Sequence, residues 1–528
     1  MIWSMFDNHI IIAYRNNIVM DIFTEKISST NVRTYLVMSL ITVFGVWYIR
    51  FLWNRRFLYI YTWNMEGPLS FPFLGCGYLF LGSTHELLKT LIKTQENSKT
   101  GIVRLWIGTK LAYLISEPTH IEKILNHPKA LNKDDIYKII TSILGEGLLT
   151  APVDTWKRHR KLMAPSFTQT VLSSSVDVFT EHCSIFAKEL RAALGKKNVD
   201  LYELVIRTTF DIICQTAFGV NLYLQKNPKE YPALFERVLD IASDRILSFW
   251  KPYNFLWYFS PDKKIFDDIY MNLYALIQSL MRKKISRYEK ELEVKRLDAN
   301  VEEESIERLP FLNLMLKDPS FTMEEVIAEA KTFCLAGSET NASSTCFLLN
   351  LLGLYPEVQQ KVYEEIIDIL GPDRTILASD LPQMKYTERV IKENLRLFPV
   401  ATIFGREIGE DIDLGNAILP KGSSVYFTAH YIHRNPKYWT NPLKFDPDRF
   451  LPDEIAKRHP CTFIPFSYGP RNCIGWKYAI FSMKIIIATI IREFKIFTEY
   501  KSIEEIEVKL YMLSKLKDRS KFWLELRQ

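Results

Sequence analysis

The chain lacks the signatures of several common protein classes. Its seven cysteines, at 76, 183, 214, 334, 346, 461 and 473, form no C-x-x-C pair and no regular framework. That spacing argues against a zinc site and a disulfide scaffold, and it suits a reducing compartment. Charge of either sign is nearly balanced: 67 basic residues face 61 acidic ones, for a net charge of +6. No long basic patch interleaves with aromatics, so nothing reads as a nucleic-acid surface. There is no internal repeat. No flavin or nucleotide motif is visible. Long uncharged apolar runs are also scarce, and Thr34–Ile49 is the one that stands out.

What the chain does have is apolar mass. Its 528 residues are 48% hydrophobic and 13% aromatic, enough to fill a large core. From about Thr84 onward most segments read as helices, with strand-like pieces near 103–116 and 403–428. Residues 283–309 are dense in Lys, Arg and Glu and read as a solvated helix end and loop. Phe51-Leu52-Trp53 extends the apolar run, Arg50 snorkels, and residues 34–53 reach the length a bilayer needs. Arg50, Arg55 and Arg56 predict a cytoplasmic C-terminal side, with Lys26 and Arg33 weakening the bias. No small-residue cleavage site follows, which disfavours a signal peptide. Residues 1–33 form an N-terminal extension unless translation starts later, for example at Met20. Residues 54–75 are a linker with a Pro/Gly-rich hinge, Glu66-Gly-Pro68-Leu-Ser-Phe-Pro72-Phe-Leu-Gly75. Residues 76–528 are expected to form one mostly helical domain.

The most informative segment is Phe466-Ser-Tyr-Gly-Pro-Arg-Asn-Cys473-Ile-Gly475. Cys473 sits in a Gly-bounded loop just before an apolar helical pattern. Gly469 and Gly475 permit close backbone approach or positive φ. The helix start at Trp476 aims unpaired N–H groups at the sulfur and favours its anionic form. Arg471 adds a cation suited to a carboxylate. Alone, a Cys is more often a small buried hydrophobe.

A second segment lies in a helix expected over 323–354. Thr322 and Glu325 make a capping-box pattern before it, and Pro356 follows it. Ala336-Gly337-Ser338-Glu339-Thr340 runs through its apolar middle. Gly337 removes side-chain bulk there, the Thr340 hydroxyl can hydrogen-bond and relay protons, and Glu339 can supply them through water. The bland alternative is a kinked helix with Thr340 bonded back to its own carbonyls. Further on, Glu393 and Arg396 share one face of a helix expected over 384–397. They make either a surface ion pair or a buried one that also engages Arg449.

The decapeptide resembles the haem-ligand loop of cytochromes P450 at each of its fixed positions. Ala336–Thr340 is similar to the family's A-G-x-[D/E]-T, Glu393 with Arg396 to its E-x-x-R, and Trp156 with Arg160 to its W-x-x-x-R. The wording is most similar to insect members of the clan containing the fatty-acid ω-hydroxylases (family 4). The resemblance covers roughly residues 60–528. It implies a mainly α fold with small β-sheets in a single large domain behind a transmembrane helix. It implies haem b with Cys473 as axial ligand, its propionates held by Arg160, Arg406 and Arg471 with Trp156 in support. Phe466, Gly469, Gly475 and Gly337 are implied to shape the cofactor site. Thr340 and Glu339 are the implied catalytic pair, and Glu393, Arg396 and Arg449 the structural set.

By the same resemblance the protein is a monooxygenase of the endoplasmic reticulum membrane, with its catalytic domain on the cytosolic face. It inserts one atom of O₂ into an apolar lipid, terpenoid or xenobiotic. NADPH-derived electrons arrive through a P450 reductase, with cytochrome b5 as a second possible donor. Lys157, Arg158, Lys161 and Lys477 are expected to form the docking patch. The segments 134–149, 333–340, 400–404 and 510–513 are expected to line the pocket, and the aromatics between 249 and 259 resemble the F–G region. Two other readings stay open: an isomerase or dehydratase of the same fold that needs no external electrons, and a non-catalytic haem or ligand carrier. One departure stands out. Many ω-hydroxylases carry Glu, esterified to a haem methyl, where this chain has Ala336, so the haem is expected to be held without that bond.

Overall fold

The structure, a computed structural model, describes residues 3–71, 73–80, 84–196, 199–225, 231–248, 251, 254–297, 311–510 and 512–527. The chain divides into two units, residues 1–65 and 66–528. In the first, one helix runs from Trp3 to Thr62. It takes in residues 3–33 of the extension, the 34–53 span and the start of the linker. Its portion Val32–Thr62, of mean hydropathy 1.7, is long and apolar enough to cross a membrane.

The second unit is mainly helical. Four strands form its main sheet: β1 (Ile102–Ile107), β2 (Lys110–Ile115), β3 (Ile403–Glu407) and, after the short pair β4 (Ile412–Asp413) and β5 (Ile418–Leu419), β6 (Ser424–Thr428). Their order is β1-β2-β6-β3, with β2 parallel to β6 and the other pairs antiparallel. The two strand-like stretches of the sequence, nearly 300 residues apart in the chain, therefore share the main sheet, while β4 and β5 within the second stretch pair with each other. Two more hairpin-like pairs close the C-terminus, β7 (Phe494–Thr498) with β10 (Phe522–Leu526) and β8 (Val508–Leu510) with β9 (Ser514–Leu516).

The helix Met323–Leu354 runs through the core and has the expected bounds. Thr322 accepts from the Glu325 N–H and the Glu325 carboxylate accepts from the Thr322 N–H, a complete capping box. Most of its residues are buried on every side, so packing rather than one amphipathic face holds it. Ser344 Oγ contacts Met483 Sδ at 3.2 Å on the helix Trp476–Glu493. Asn394 Nδ2 donates to Ser344 O at 3.1 Å from the helix Lys385–Leu397.

Glu393 and Arg396 lie one turn apart on that last helix, and both are fully buried. Arg396 Nε and Nη2 donate to the two Glu393 oxygens at 2.7 and 2.8 Å. Arg396 Nη1 also donates to His433 O at 2.9 Å, and Nη2 to Lys444 O at 3.3 Å. Glu393 Oε1 accepts from Asp446 N at 2.9 Å and lies 3.5 Å from Arg449 Nε. A buried pair is tolerable only when such extra bonds satisfy it. The result ties the helix to the irregular chain at 433–449.

The aromatic stretch near 250 is split. Trp257 is buried beneath the Arg245 guanidinium, 4.6 Å from its ring, whereas Phe255, Tyr258 and Phe259 are exposed. Phe249, Trp250 and Tyr253 lie outside the described residues, as do Pro72 of the hinge, 298–310 of the charged stretch and residue 511 of the 510–513 pocket segment.

His433 extends the knot towards the cysteine loop, because its Nε2 accepts from Ile464 N at 2.8 Å. That bond requires the neutral ring. Burial, and then the nearby Arg396, push its pKa from 6.5 down to about 3. An unfolded chain takes up this proton near pH 6.5 and the folded one does not, so stability is full above that pH and is lost as pH falls towards 3. The urea midpoint of the solubilised protein should therefore drop between pH 7.5 and 5. His433→Gln, which keeps an acceptor for Ile464 N–H, should show a shallower drop over the same range.

Candidate active site

The loop before the helix Trp476–Glu493 is closed by its own backbone. Cys473 N donates to Phe466 O at 2.9 Å, and Asn472 N to Gly469 O at 3.2 Å. Gly469 has φ +73, and a Cβ there would sit 2.4 Å from Leu125 O, so both its conformation and its neighbour demand glycine. Gly475 is different: its φ is −90 and it caps the helix. The nearest atom to a Cβ at 475 is Cys473 Sγ, at 4.0 Å, so this glycine leaves open space beside the sulfur.

Six of the seven cysteines are buried, and Cys473 alone carries substantial accessible surface. Protein nevertheless surrounds it, and burial pushes its thiol up, while the Gly475 N–H, Arg160 and Lys133 draw it down. Accessible surface on a residue enclosed in this way marks an interior cavity. The central helix shows the same signature. Ala336 is exposed, Gly337 and Thr340 are half-buried, and most of their neighbours are buried.

Cations gather at the cavity without acids. Trp156 and Arg160 lie on the helix Val153–Met163. Arg160 donates to Asn472 O at 2.9 Å and Asn472 Oδ1 at 2.8 Å, which fixes it to the cysteine loop. Arg471 donates to Leu131 O at 2.7 Å, and its guanidinium lies 5.2 Å from the Trp156 ring. Its Nε is buried without a hydrogen-bond partner. Arg406, on β3, is buried and donates to Gly405 O at 3.0 Å. Burial pushes Arg406 down. Burial, and then Arg406, push Arg471 down to about 10. Lys133 stands beside Arg406, Arg471 and Cys473 and is driven well below its usual range by burial and then by the two arginines. No carboxylate faces any of these four cations among the described residues. An enclosed thiol among uncompensated cations, with an orphaned guanidinium nitrogen, fits a haem: one sulfur for iron and several cations for two propionates.

The acid–alcohol segment is arranged less symmetrically. Thr340 Oγ1 donates to Ala336 O at 2.6 Å, the back-bonded form. Glu339 is fully buried, accepts from the Tyr202 hydroxyl and pairs with Lys515 Nζ of β9 at 3.0 Å. Lys515 also lies 3.3 Å from Glu236, which pairs with Arg519. A file of charges therefore runs from Glu339 to half-buried Glu236. The place of a Cβ at Gly337 is taken by Ile213, 2.6 Å away on the helix Leu201–Phe218, so the glycine serves helix packing. Asn341 is buried and donates to Gly337 O at 2.8 Å.

The sequence family is decided by similarity over nearly the whole length. A family model described as cytochrome P450 matches residues 65–522. The chain belongs to the cytochrome P450 family. Cytochrome P450 4c3 of Drosophila melanogaster is 33% identical, over 89% of this chain and 90% of that protein. Cytochrome P450 4c21 of Blattella germanica is 32% identical over 85% and 91%, and human cytochrome P450 4V2 is 29% identical over 93% and 95%. The P450 fold is shared with the crystal structure of the cytochrome P450DA heme domain, at TM-score 0.73 and 19% identity over 88% of this chain and 97% of that one. The chain is thus a P450 monooxygenase, and the family's cofactor is haem b on a cysteine thiolate, with O₂ and NADPH-derived electrons.

Several contributors to the site carry no motif. Lys133 sits in Asn132-Lys-Asp-Asp135, which reads as a surface run. Asn472 occupies a free position of the decapeptide, and Lys515 and Tyr202 meet Glu339 from far along the chain. Of the four basic residues expected to dock a partner, Lys157 and Lys161 are exposed, and Lys477 lies 5.5 Å from the ring of exposed Trp476. Arg158 is engaged internally: it pairs with Glu325 and donates to Ser320 O at 2.7 Å. Its neighbour His159, fully buried, meets Glu329 at 2.6 Å.

Packing at Gly337 gives a direct check. Gly337→Ala should lower stability by about 1–3 kcal/mol through overpacking. Adding Ile213→Val should restore part of the loss, read as the thermal midpoint of the single and double variants.

Proposed function

We propose that the protein is a membrane-anchored haem-thiolate monooxygenase in which Cys473 is the axial ligand. The observation that carries this is the enclosed yet accessible thiol, with Arg160 and Lys133 acting on it, Arg406 and Arg471 beyond Lys133, and no carboxylate facing these cations among the described residues. The bound haem supplies oxygen activation and transfer of one oxygen atom to a substrate C–H bond, the other atom leaving as water. The chain's residues do the rest. The Gly475 N–H and Arg160 stabilise the thiolate. Arg160, held by Asn472, and Arg406 and Arg471 hold the propionates. Trp156 backs Arg471 through its ring face. Phe466, Gly469 and Gly475 set the loop's path around the sulfur.

Thr340 presents its hydroxyl at the accessible face of the central helix and passes protons there. Glu339 feeds that hydroxyl from behind, with Lys515 and Glu236 linking it outward. Glu393, Arg396 and Arg449 keep the helix and the cysteine loop in register. The substrate is an apolar molecule. Val400 O accepts from Ser514 N at 2.8 Å, which ties the 400–404 stretch to the residue that follows 510–513.

Electrons reach the haem from NADPH through a diflavin reductase that docks on Lys157, Lys161, Lys477 and the exposed ring of Trp476. Cytochrome b5 can use the same basic face. Val32–Thr62 anchors the catalytic domain to the cytosolic face of the endoplasmic reticulum, and exposed Phe255, Tyr258 and Phe259 suit contact with lipid.

Two measurements test this. Cys473→Ala should abolish the reduced-CO spectrum of a thiolate-bound haem and all NADPH-dependent oxygen consumption with added reductase. A variant that keeps both rules out Cys473 as the ligand. Because Ala336 stands where covalent family members carry Glu, acid–acetone extraction should strip all haem from the wild-type protein. Haem retained in the pellet contradicts this reading.

A further inference from the structure

The two oxygens of Glu339 are treated differently. Both of its contacts fall on Oε2, which accepts from the Tyr202 hydroxyl and lies 3.0 Å from Lys515 Nζ. Oε1 is buried and has no hydrogen-bond partner among the described residues. Ser343, one turn along the same helix, also has a buried hydroxyl without a partner among them. Buried polar atoms in such a position are places for an ordered water.

Lys515 decides which oxygen is taken. It is 1% exposed and sits on β9, where successive residues point to opposite faces. Ser514 turns to the expected pocket segment: its N–H donates to Val400 O at 2.8 Å and its hydroxyl meets Thr402 Oγ1. Lys515 turns the other way, to the central helix. The bonds of Ser514 fix the strand and with it the place of the lysine. The Tyr202 ring lies 5.1 Å from Lys515 Nζ and 4.1 Å from the Arg519 guanidinium, so the two partners of Oε2 brace each other.

Behind Lys515 stand acids of the helix Tyr231–Leu247. Glu236 lies 3.3 Å from its Nζ and pairs with Arg519, which is also 3.9 Å from exposed Asp200. Asp240, one turn on from Glu236, is half-buried, and its Oδ1 has no partner among the described residues. Burial pushes the Asp240 carboxyl up to about 6, against the pull of Lys515. Glu339, Glu236 and Asp240 are thus three carboxyls to the two cations Lys515 and Arg519, and the cluster has room for a proton.

We propose that Lys515 is the positioning residue of Glu339: by holding Oε2 from β9 it leaves Oε1 for a buried water that serves the Thr340 hydroxyl. This rests on the reading of Glu339 and Thr340 as the proton-supplying pair.

The full-length protein would be compared as wild type, Lys515→Met, Lys515→Arg and Glu339→Gln, with the reduced-CO spectrum as a check on folding and ligation. A buried carboxylate that loses its cation takes up a proton. Lys515→Met should therefore show an additional protonated-carboxyl infrared band at pH 7.5, which Lys515→Arg lacks and which adding Glu339→Gln removes. With reductase, its NADPH-driven oxygen consumption should fall about tenfold, part of what a well-placed proton donor contributes, and its solvent deuterium isotope effect should rise. Lys515→Arg should restore both. Absence of the band in Lys515→Met overturns the proposal. So does the band with unchanged rate and isotope effect, which makes Lys515 a packing partner only. If Lys515→Met takes up no haem, adding Glu339→Gln, which removes the stranded charge, should regain the CO spectrum, and failure to do so overturns the proposal. Glu339→Gln with wild-type rate and isotope effect defeats the underlying reading of Glu339, which the infrared band tests separately from its pairing with Lys515.

Discussion

The structure depends on a charge imbalance held inside the protein. Arg160 and Lys133 act on the Cys473 thiol, Arg406 and Arg471 act on Lys133, and among the described residues no acid comes with these four cations. Burying cations in this way is unfavourable in isolation. An anion placed among them would offset that cost, because charges attract more strongly in a low-dielectric site. The bonds from Arg471 to Leu131 O and from Arg160 to Asn472 hold these two cations in place.

The second constraint is the knot at Glu393 and Arg396. It does no chemistry but fixes where the chemistry occurs. Its hydrogen bonds capture the backbone at His433, Lys444 and Asp446, and His433 passes the constraint on to Ile464, two residues before Phe466. The Phe466 carbonyl then sets the Cys473 N–H. A buried ion pair thus reaches the cysteine loop through three hydrogen bonds of 2.8–2.9 Å, from Arg396 to His433 O, from Ile464 N to His433 and from Cys473 N to Phe466 O.

The central helix has two sides with different work. Ala336 and Thr340 open onto the cavity, while Glu339 and Gly337 face packed protein: Glu339 meets Tyr202 and Lys515, and Gly337 meets Ile213. The acid is thus held behind the alcohol, within a file of charges that ends at half-buried Glu236. Read as a line of residues, Ala336–Thr340 is one motif. In three dimensions it is a cavity wall and a charge relay set back to back on one helix.

The sequence by itself determined the cysteine loop, the bounds and capping of the Met323–Leu354 helix, and the one-turn spacing of Glu393 and Arg396. All of these are written in residues close together in the chain, where backbone geometry and helical period act directly. It also marked a long apolar helix near the N-terminus. Only the tertiary structure decided that 103–116 and the ends of 403–428 share one sheet, that Arg158 is spent on Glu325, that Lys515 holds Glu339, and that Asp134 and Asp135 turn to Lys110. Those outcomes depend on which distant groups compete for the same charge or hydrogen bond, and that competition exists only once the chain has folded.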